Sequence, residues 1–275
     1  MNRQKTDKPR GVLKTATAAP ERYRHARYHP SPDLAVYVEH YWAVEWDLRG
    51  LSPDRAETLP HPSVHLIFER DGDGRETSSR VAGVARGKFS RELAGQGGVI
   101  AAKFRPGGFY PFVNGDISSF TDKVIPVVEV FGAAAEAAAR SIFAAGDDAT
   151  RISALESFLR QRRPGADVQV PRVAAMVYAI AGDRDITKVE DLVERYSLNV
   201  RALQRLFAKY VGVSPKWVIQ RYRLHEAAEQ LASNTALSQT DLALSLGYSD
   251  QAHFNRDFKA VVGTTPAAYA RRASK

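Results

Sequence analysis

The sequence predicts an α+β fold with two domains: a β-rich, barrel-like domain with trailing helices, followed by an all-α domain. In residues 33–130, apolar and polar residues alternate as they do in strands, whereas beyond residue 165 apolar residues recur at helical spacing. The helical part also contains one phrase twice, as QRLFAKYVGVSP at 204–215 and NRDFKAVVGTTP at 255–266. Two copies are too few for a solenoid, so we expect one structural unit that is present twice.

Composition and charge limit the class of protein. The chain has 275 residues, of which 44% are hydrophobic and 25% charged, as in an ordinary globular protein with two domains. Its 39 Lys and Arg against 31 Asp and Glu give a formal charge of +8, which favours anionic partners. The chain has no cysteine, which excludes disulfides, thiolate metal sites and cysteine nucleophiles within it. No segment approaches the ~20 apolar residues of a membrane span, so we expect a cytoplasmic protein with no membrane partner.

The domain boundaries follow from changes in composition. Residues 1–20 hold five Lys or Arg and one Asp without periodicity, which predicts a flexible basic tail. Residues 21–165 form the β-rich sensory or regulatory domain, in which AVYVEHYWAVEW and VHLIFER are strands and 131–163 are C-terminal helices. Pro164 and Gly165 interrupt the last of these helices, so 166–172 is the predicted linker. The helical domain is then 173–275.

Each copy of the repeat is predicted to begin with a capped helix. Thr187 with Glu190 in the first copy, and Ser238 with Asp241 in the second, have the spacing of a capping box. After a short turn, a second helix begins in each copy. The predicted N-caps of these second helices are Asn199 and Asp250.

The ends of the second helices are also marked. Gly212 and Gly263 are predicted C-cap glycines, and Pro215 and Pro266 suit the first turn of the next helix. The repeated unit is therefore a helix, a turn and a second helix that ends at a glycine. That is the order of a helix-turn-helix, whose second helix lies in the DNA major groove.

The outer faces of the two second helices, at about 200–209 and 251–261, have side chains that can bind bases. Leu203, Leu206 and Phe207 face inward, while Arg can pair with guanine and Gln with adenine. The predicted DNA-binding residues are Arg201, Gln204, Arg205, Gln251, His253, Asn255 and Arg256. The predicted phosphate contacts are Asn199, Lys209, Lys216, Lys259 and Thr265. The alternative is that these side chains are only solvated, as exposed Arg and Gln usually are.

The stretch from Val173 to Arg272 resembles the DNA-binding domain of the AraC/XylS family of bacterial transcription regulators. The resemblance lies in ALQRLFAKYVGVSPKWV, RLHEAAEQL and DLALSLGYSDQAHFNRDFKAVVGTTPAAY. It implies a seven-helix double helix-turn-helix domain that reads two consecutive major-groove segments of double-stranded promoter DNA. It also implies RNA polymerase as a partner, a homodimer, and association with the nucleoid when DNA is bound. The first turn departs from the family, since Ser197 and Leu198 stand where glycine is common, and we expect this turn to be slightly strained or differently shaped.

The front domain resembles a poorly characterised sensory or half-barrel module found in a subset of that family. It implies a small-molecule effector, without naming one, and the predicted effector pocket is Trp42, Trp46, Phe104, Phe109 and Tyr110. The alternative is that these aromatic residues are plain core. The stretch FRPGGFYP lacks the Lys-Ser/Thr ending of a phosphate-binding loop and is predicted to be a tight turn.

Two further classes stay open as alternatives. His40, His61 and His65, with Glu39 or Glu69, have metal-ligand chemistry, which would suit a metal-dependent barrel enzyme or binding protein with a DNA-binding appendage. Pro62 and the absence of a tight His-x-His pair favour no metal, no cofactor and no catalytic residue. The other alternative is a regulator without a ligand, whose front domain only dimerises or binds a protein.

Overall fold

The computed structural model describes residues 12–14, 20–71, 77–113, 115–162, 165–233 and 238–273. Within these ranges every strand precedes every α-helix, which confirms the predicted α+β fold. The strands are β1 (Val12–Lys14), β2 (Tyr23–Tyr28), β3 (Val38–Leu48), β4 (Asp54–Thr58), β5 (His65–Asp71), β6 (Thr77–Ala82), β7 (Phe89–Leu93), β8 (Gly95–Phe104) and β9 (Val124–Pro126). The helices are α1 (Val127–Phe131), α2 (Ala134–Ala144), α3 (Asp148–Arg160), α4 (Gln169–Gly182), α5 (Val189–Tyr196), α6 (Val200–Tyr210), α7 (Pro215–Ser233), α8 (Gln239–Ser245), α9 (Gln251–Val262) and α10 (Pro266–Ala273). Short 3-10 helices lie at Pro20–Arg22, Tyr110–Phe112 and Ile117–Phe120. Along the described ranges, no helix has both the length and the apolar character needed to cross a bilayer.

The front domain is built from two antiparallel sheets. One has six strands in the order β2-β3-β8-β5-β6-β9, and the other has three in the order β1-β4-β7. In β3 the alternation of the sequence separates two faces, with Tyr41 and Ala43 on one and Trp42 and Trp46 on the other. Leu93 of β7 joins the second face, so the smaller sheet packs against the larger in a barrel-like arrangement.

The opposite face of the six-stranded sheet is covered by α2 and α3. Phe68 of β5 meets Phe143 of α2 at 6.3 Å between ring centroids. Asp148 at the start of α3 accepts hydrogen bonds from Arg24 at 2.7 Å and from Tyr28 at 2.6 Å. The trailing helices are therefore fixed to the sheet by an apolar contact and by a charged network.

The apolar core does not stop at the front domain. One cluster of buried side chains runs from Leu34 through the sheet and α2–α3 into α4, α5, α6 and the first half of α7, as far as Tyr222. A second cluster joins the rest of α7 to α8, α9 and α10, and it includes Leu59 from the front domain. The first helical unit thus shares its core with the sheet, while the second has a separate core to which the front domain contributes Leu59.

Several predicted features lie at or beyond the edges of the described residues. Residues 12–14 of the predicted tail pair with β4 as strand β1, and the tail residues 1–11 and 15–19 lie outside the described ranges. Residues 163 and 164, before the predicted linker, also lie outside them. The boundaries at 165, 172 and 173 stay predictions.

One predicted cap is wrong. The helix α5 begins at Val189, one residue later than the predicted cap Thr187 implies, and Glu190 is not the capping residue. Asp191 instead accepts hydrogen bonds from the backbone N–H of Thr187 and of Lys188, both at 2.9 Å. A carboxylate one residue further along satisfies the same free amides, because the helix starts one residue later than expected.

Candidate nucleic-acid interface

The first repeated unit consists of α5, a turn and α6. Ser197 closes α5 with φ at 50°, in the left-handed region that favours glycine, so this glycine-free turn has the slight backbone strain that was one of the two expectations. Asn199 caps α6 by accepting a hydrogen bond from the backbone N–H of Ala202 at 2.8 Å. Leu203 and Phe207 are fully buried beneath the helix. This fixes which face of α6 points outward.

That outward face presents Arg201, Gln204 and Arg205, and all three side chains are exposed. Among the described residues none of the three makes a side-chain hydrogen bond or ion pair within the chain. Each can therefore contact a partner without breaking an internal bond first.

The second unit consists of α8, a turn and α9. Ser238 and Asp250 cap the two helices, accepting hydrogen bonds from the backbone N–H of Asp241 at 3.3 Å and of His253 at 2.7 Å. Gly263 ends α9 with φ at 85°, as its C-cap position predicted. Phe254 and Phe258 are fully buried and pack 5.6 Å apart by ring centroids, so the two units share one design.

The polar face of α9 differs from that of α6. Arg256 is exposed, whereas Gln251, His253 and Asn255 are half-buried. Gln251 accepts a hydrogen bond from Thr240 at 2.9 Å, and His253 lies 3.5 Å from Asp257. Two of the four predicted base-contacting residues in this unit, Gln251 and His253, therefore already contact their own unit.

The five predicted phosphate contacts divide into two groups. Lys216 and Lys259 are exposed on α7 and α9. Asn199 caps α6, and Thr265 caps α10 by accepting from the backbone N–H of Ala268 at 3.3 Å. Lys209 lies over the ring of Tyr110 in the front domain, 5.0 Å from its centroid. These three side chains have structural roles, of which the sequence predicted only the cap by Asn199.

The connecting helix α7 contains two arginines whose burial the sequence did not predict. Arg223 donates to the carbonyl oxygens of Ile180, at 2.6 Å, and Asp183, at 3.1 Å, and so satisfies the C-terminal end of α4. Arg221 donates to the carbonyl oxygen of Arg86 in the front domain. Burial lowers the pKa of Arg221 to about 10. The signal lay in their position between apolar residues of a helix that packs on both sides.

The front domain touches the first unit at the end of α6. Thr121 donates a hydrogen bond to the carbonyl oxygen of Gly212 at 2.6 Å, and the rings of Tyr110 and Tyr210 lie 4.3 Å apart. On α4, Tyr178 accepts from Arg105 at 3.2 Å and donates to Glu39 at 3.3 Å. Burial, and then the charge of Glu39, raise the pKa of Tyr178 to about 12. The two domains are thus joined by specific polar contacts as well as by a shared core.

The predicted effector pocket does not form as one site. Trp42 and Trp46 lie on the face of the sheet that meets β7, and Phe104 and Phe109 pack 4.9 Å apart in the large core on the other face. Tyr110 lies against α6. The reason is strand geometry, because residues of opposite parity in paired strands point to opposite faces of the sheet. Trp46 alone of the five lines a surface cleft of about 310 Å³, with Arg24, Arg70 and Asp71.

The three histidines considered as metal ligands have separate partners. His61 stacks on His225 of α7 at 4.6 Å between ring centroids. His65 accepts a hydrogen bond from Trp42 at 3.2 Å, and His40 lies 3.4 Å from Glu39. Across the part of the chain that the structure describes, no group of three or more His, Cys, Asp or Glu side chains is placed to hold a metal ion.

Comparison with known proteins gives separate matches for the two parts. Residues 192–272 match the family described as a helix-turn-helix domain. Residues 192–272 form an AraC-type helix-turn-helix domain. This confirms the resemblance to the AraC/XylS family on which the expectation for the C-terminal part rested. Residues 26–126 match a domain of unknown function, DUF6597.

Three relatives of the AraC-type domain are named as regulators. The chain is 31% identical over 81 residues to the transcriptional regulator ExsA of Pseudomonas aeruginosa, covering 29% of this chain and 28% of that protein. It is 36% identical over 84 residues to the putative regulator YkgA of Escherichia coli, covering 30% and 35%. It is 35% identical over 81 residues to the transcriptional activator AarP of Providencia stuartii, covering 30% and 59%. The match thus spans about a third or less of the first two relatives and more than half of the third.

Two solved structures, one of them from a response regulator, are similar to parts of the chain. The C-terminal domain of AraT from Geobacillus stearothermophilus is 26% identical with a TM-score of 0.34, covering 38% of this chain and 86% of that one. ToxT from Vibrio cholerae is 10% identical with a TM-score of 0.40, covering 80% and 97%. At these scores the likeness adds nothing to the AraC-type assignment.

Proposed function

We propose that the chain is a sequence-specific DNA-binding transcription regulator that reads two consecutive major-groove segments with α6 and α9. The observation that supports this most directly is the pair of helix-turn-helix units, each with a capped second helix whose aromatic face is buried and whose polar face points outward. The helix α7 has 19 residues, a length of about 28 Å at ~1.5 Å per residue. Consecutive groove segments lie about 34 Å apart, so one chain can span both.

The contacts to bases are proposed to be unequal in the two units. Arg201, Gln204 and Arg205 are exposed without internal bonds, so they reach base edges at the lowest cost. In the second unit Arg256 is the exposed residue, and Gln251 must first give up its hydrogen bond with Thr240. We therefore expect the first unit to discriminate more strongly among bases.

The proposal extends to regulation through the front domain. Because Thr121 and Tyr110 touch the end of α6, a small effector that shifts the front domain would also shift the first recognition helix. The cleft lined by Trp46 is the proposed effector site. We also propose that the chain forms a homodimer through residues 131–163 and has RNA polymerase as a partner. Its proposed location is on DNA in the cytoplasm. We propose no catalytic step, in keeping with relatives that are named as regulators.

The experiment is binding of the purified chain to duplexes selected from a random pool, measured by fluorescence anisotropy at a fixed moderate salt concentration. The proposal predicts that the chain prefers a selected duplex to a scrambled one by at least ~10³-fold. Equal affinity for both duplexes would contradict it, since binding would then be the phosphate contribution alone.

Arg205→Ala tests base reading within the same assay. We expect it to weaken binding to the selected duplex by about 1–3 kcal/mol and to relax the preference at one base pair, if Arg205 binds guanine. The matched control is Arg55→Ala, which removes an exposed arginine from β4 in the front domain and should leave binding unchanged. A uniform loss across all sequences would make Arg205 a phosphate contact.

Effector binding is tested by thermal unfolding in the presence of metabolites. A ligand that binds only the folded chain must raise the midpoint of unfolding, by RT ln(1 + [L]/Kd) in free energy. Arg70→Ala, in the cleft, should abolish the shift produced by a true cleft ligand, whereas Arg55→Ala should preserve it. If no compound of the panel shifts the midpoint, the regulator without a ligand is favoured.

A further inference from the structure

A second cleft, of about 330 Å³, lies between the two helix-turn-helix units. Its walls come from the start of α5, from the first turns of α7, and from the turn before α9 together with the first residues of that helix. Among the residues that line it are Lys188, Lys216, Gln220, Arg223, Gly247 and His253. The cleft is thus made by both units and belongs to neither alone.

The walls of the cleft touch at one point. Gly247 has φ at 81°, and a Cβ atom there would come within 2.9 Å of the Cβ of Thr187. Because only a residue without a side chain permits this approach, the start of α5 and the turn of the second unit lie in direct contact. The separation of the cleft's walls is therefore set by the fold.

The lining of the cleft favours an anion. Lys188 and Lys216 are exposed at its edge, and Glu190 is the acidic residue among its lining residues. Arg223, which is 3% exposed, forms part of the wall. Its Nη2 donates to the carbonyl oxygens of Ile180 and Asp183, and its Nη1 donates to the carboxylate of Glu226 at 3.1 Å. Its buried Nε has no hydrogen-bond partner among the described residues. A buried donor without an acceptor is costly, and an oxyanion in the cleft would supply the acceptor.

The position of the cleft favours a phosphate group. His253 lines the cleft and also lies on the polar face of α9, whose N-terminal residues are proposed to enter the major groove. If α6 and α9 lie in consecutive groove segments, the DNA backbone between those segments must pass the space between the units. Lysine side chains at that point can neutralise a phosphate without reading a base.

We propose that the cleft between the two helix-turn-helix units binds a phosphate group, which in the DNA complex is a backbone phosphate between the two major-groove segments. This rests on the proposed function, because it needs both recognition helices on one duplex. Lys188 and Lys216 supply the charge, and Arg223 supplies a buried donor. Neither Lys188 nor Arg223 was among the phosphate contacts predicted from the sequence.

The experiment uses the full chain and the double variant Lys188→Ala with Lys216→Ala. The matched control, Lys123→Ala with Arg55→Ala, removes two exposed cations from the front domain outside residues 131–163. Binding to a selected and to a scrambled duplex is measured between 50 and 300 mM salt, values chosen around the range where phosphate contacts dominate salt dependence. We expect the slope of log K against log [salt] to become less steep by about 0.9 for one lost phosphate contact, with the same fold-loss on both duplexes.

The outcomes separate this inference from the proposed function. If the unchanged chain does not prefer the selected duplex, the proposed function fails, whatever the cleft binds. If it does, but the cleft variant and the control variant have the same slope as the unchanged chain, the cleft inference is overturned. Thermal unfolding of each variant without DNA confirms that these exposed substitutions leave the fold intact.

A second arm distinguishes DNA from free phosphate. Inorganic phosphate and chloride are compared at equal ionic strength by thermal unfolding of the unchanged chain and of the cleft variant. The inference is supported in full if phosphate stabilises the unchanged chain but not the cleft variant, and if the variant also has a less steep slope of log K against log [salt] for DNA binding. The same stabilisation with an unchanged DNA slope would keep a phosphate site and overturn its assignment to DNA.

Discussion

Replacing Gly212 with alanine tests whether the front domain is docked on the end of α6. Gly212 has φ at 91°, and a Cβ there would lie 2.9 Å from both the carbonyl oxygen of Ile117 and the Oγ1 of Thr121. Thr121 also donates its hydrogen bond to Gly212 at 2.6 Å. The equivalent glycine of the second unit, Gly263, has φ at 85°, but a Cβ there would meet the flexible end of Lys88 at 3.2 Å.

The expected magnitude comes from comparing these two glycines with a third. Gly50 has φ at 77° and open space around it, so Gly50→Ala measures the conformational cost alone, about 1–2 kcal/mol. Gly263→Ala should cost nearly the same, because the end of Lys88 can move. Gly212→Ala adds overpacking against backbone, typically about 1–3 kcal/mol, for a total of about 2–5 kcal/mol.

The assay is urea unfolding of the three variants, followed by far-UV circular dichroism and by tryptophan fluorescence. We expect Gly212→Ala to have the lowest midpoint and Gly50→Ala and Gly263→Ala to lie close together. Equal losses in Gly212→Ala and Gly263→Ala would refute the reasoning, since the front domain would then not be packed against the end of α6.

Two further predictions concern ionisable groups. Burial, and then the charges of His61 and Arg221, hold the pKa of His225 well below its ordinary 6.5, so its neutral form stabilises the fold above pH 6.5. As pH falls, the unfolded chain takes up the proton first, so the free energy of unfolding should drop by about 1.4 kcal/mol at one pH unit below 6.5. Urea unfolding at several pH values measures this drop, and His225→Phe should remove it. Asp148→Ala leaves Arg151, 8% exposed, without one of its carboxylate partners and should cost about 3 kcal/mol in the same assay. Asp47→Ala at an exposed pair is its control, and similar losses in both variants would contradict the role of the Asp148 network.

Local chemistry explains which features the sequence could predict. Some predicted roles depend only on neighbouring residues, and the structure has each residue in its role. These are the N-caps Asn199 and Asp250, the C-cap Gly263 and the core residue Phe258. The base-contacting residues stay predictions, although the outward faces of α6 and α9 are where the periodicity expected them. Short-range rules suffice here because a helix fixes its own faces.

Features that depend on distant partners could not be predicted in this way. Phe104 and Trp46 both looked suitable for one pocket, but the direction of each from its sheet depends on strand register. Arg221 and Arg223 have no role in the sequence predictions, and their burial depends on carbonyl groups of Arg86, Ile180 and Asp183 far along the chain. The sheet and the first helical unit share a core, and the sequence of neither segment alone predicts it.

The central claim is that one chain reads two consecutive major-groove segments with two different helices. Methylation interference at guanine N7 on a selected duplex tests it most directly, because N7 lies in the major groove. We predict two clusters of interference about 10–10.5 base pairs apart on one face, of which Arg205→Ala removes one and Arg256→Ala the other. A single cluster, or two clusters that both variants weaken equally, would contradict the account.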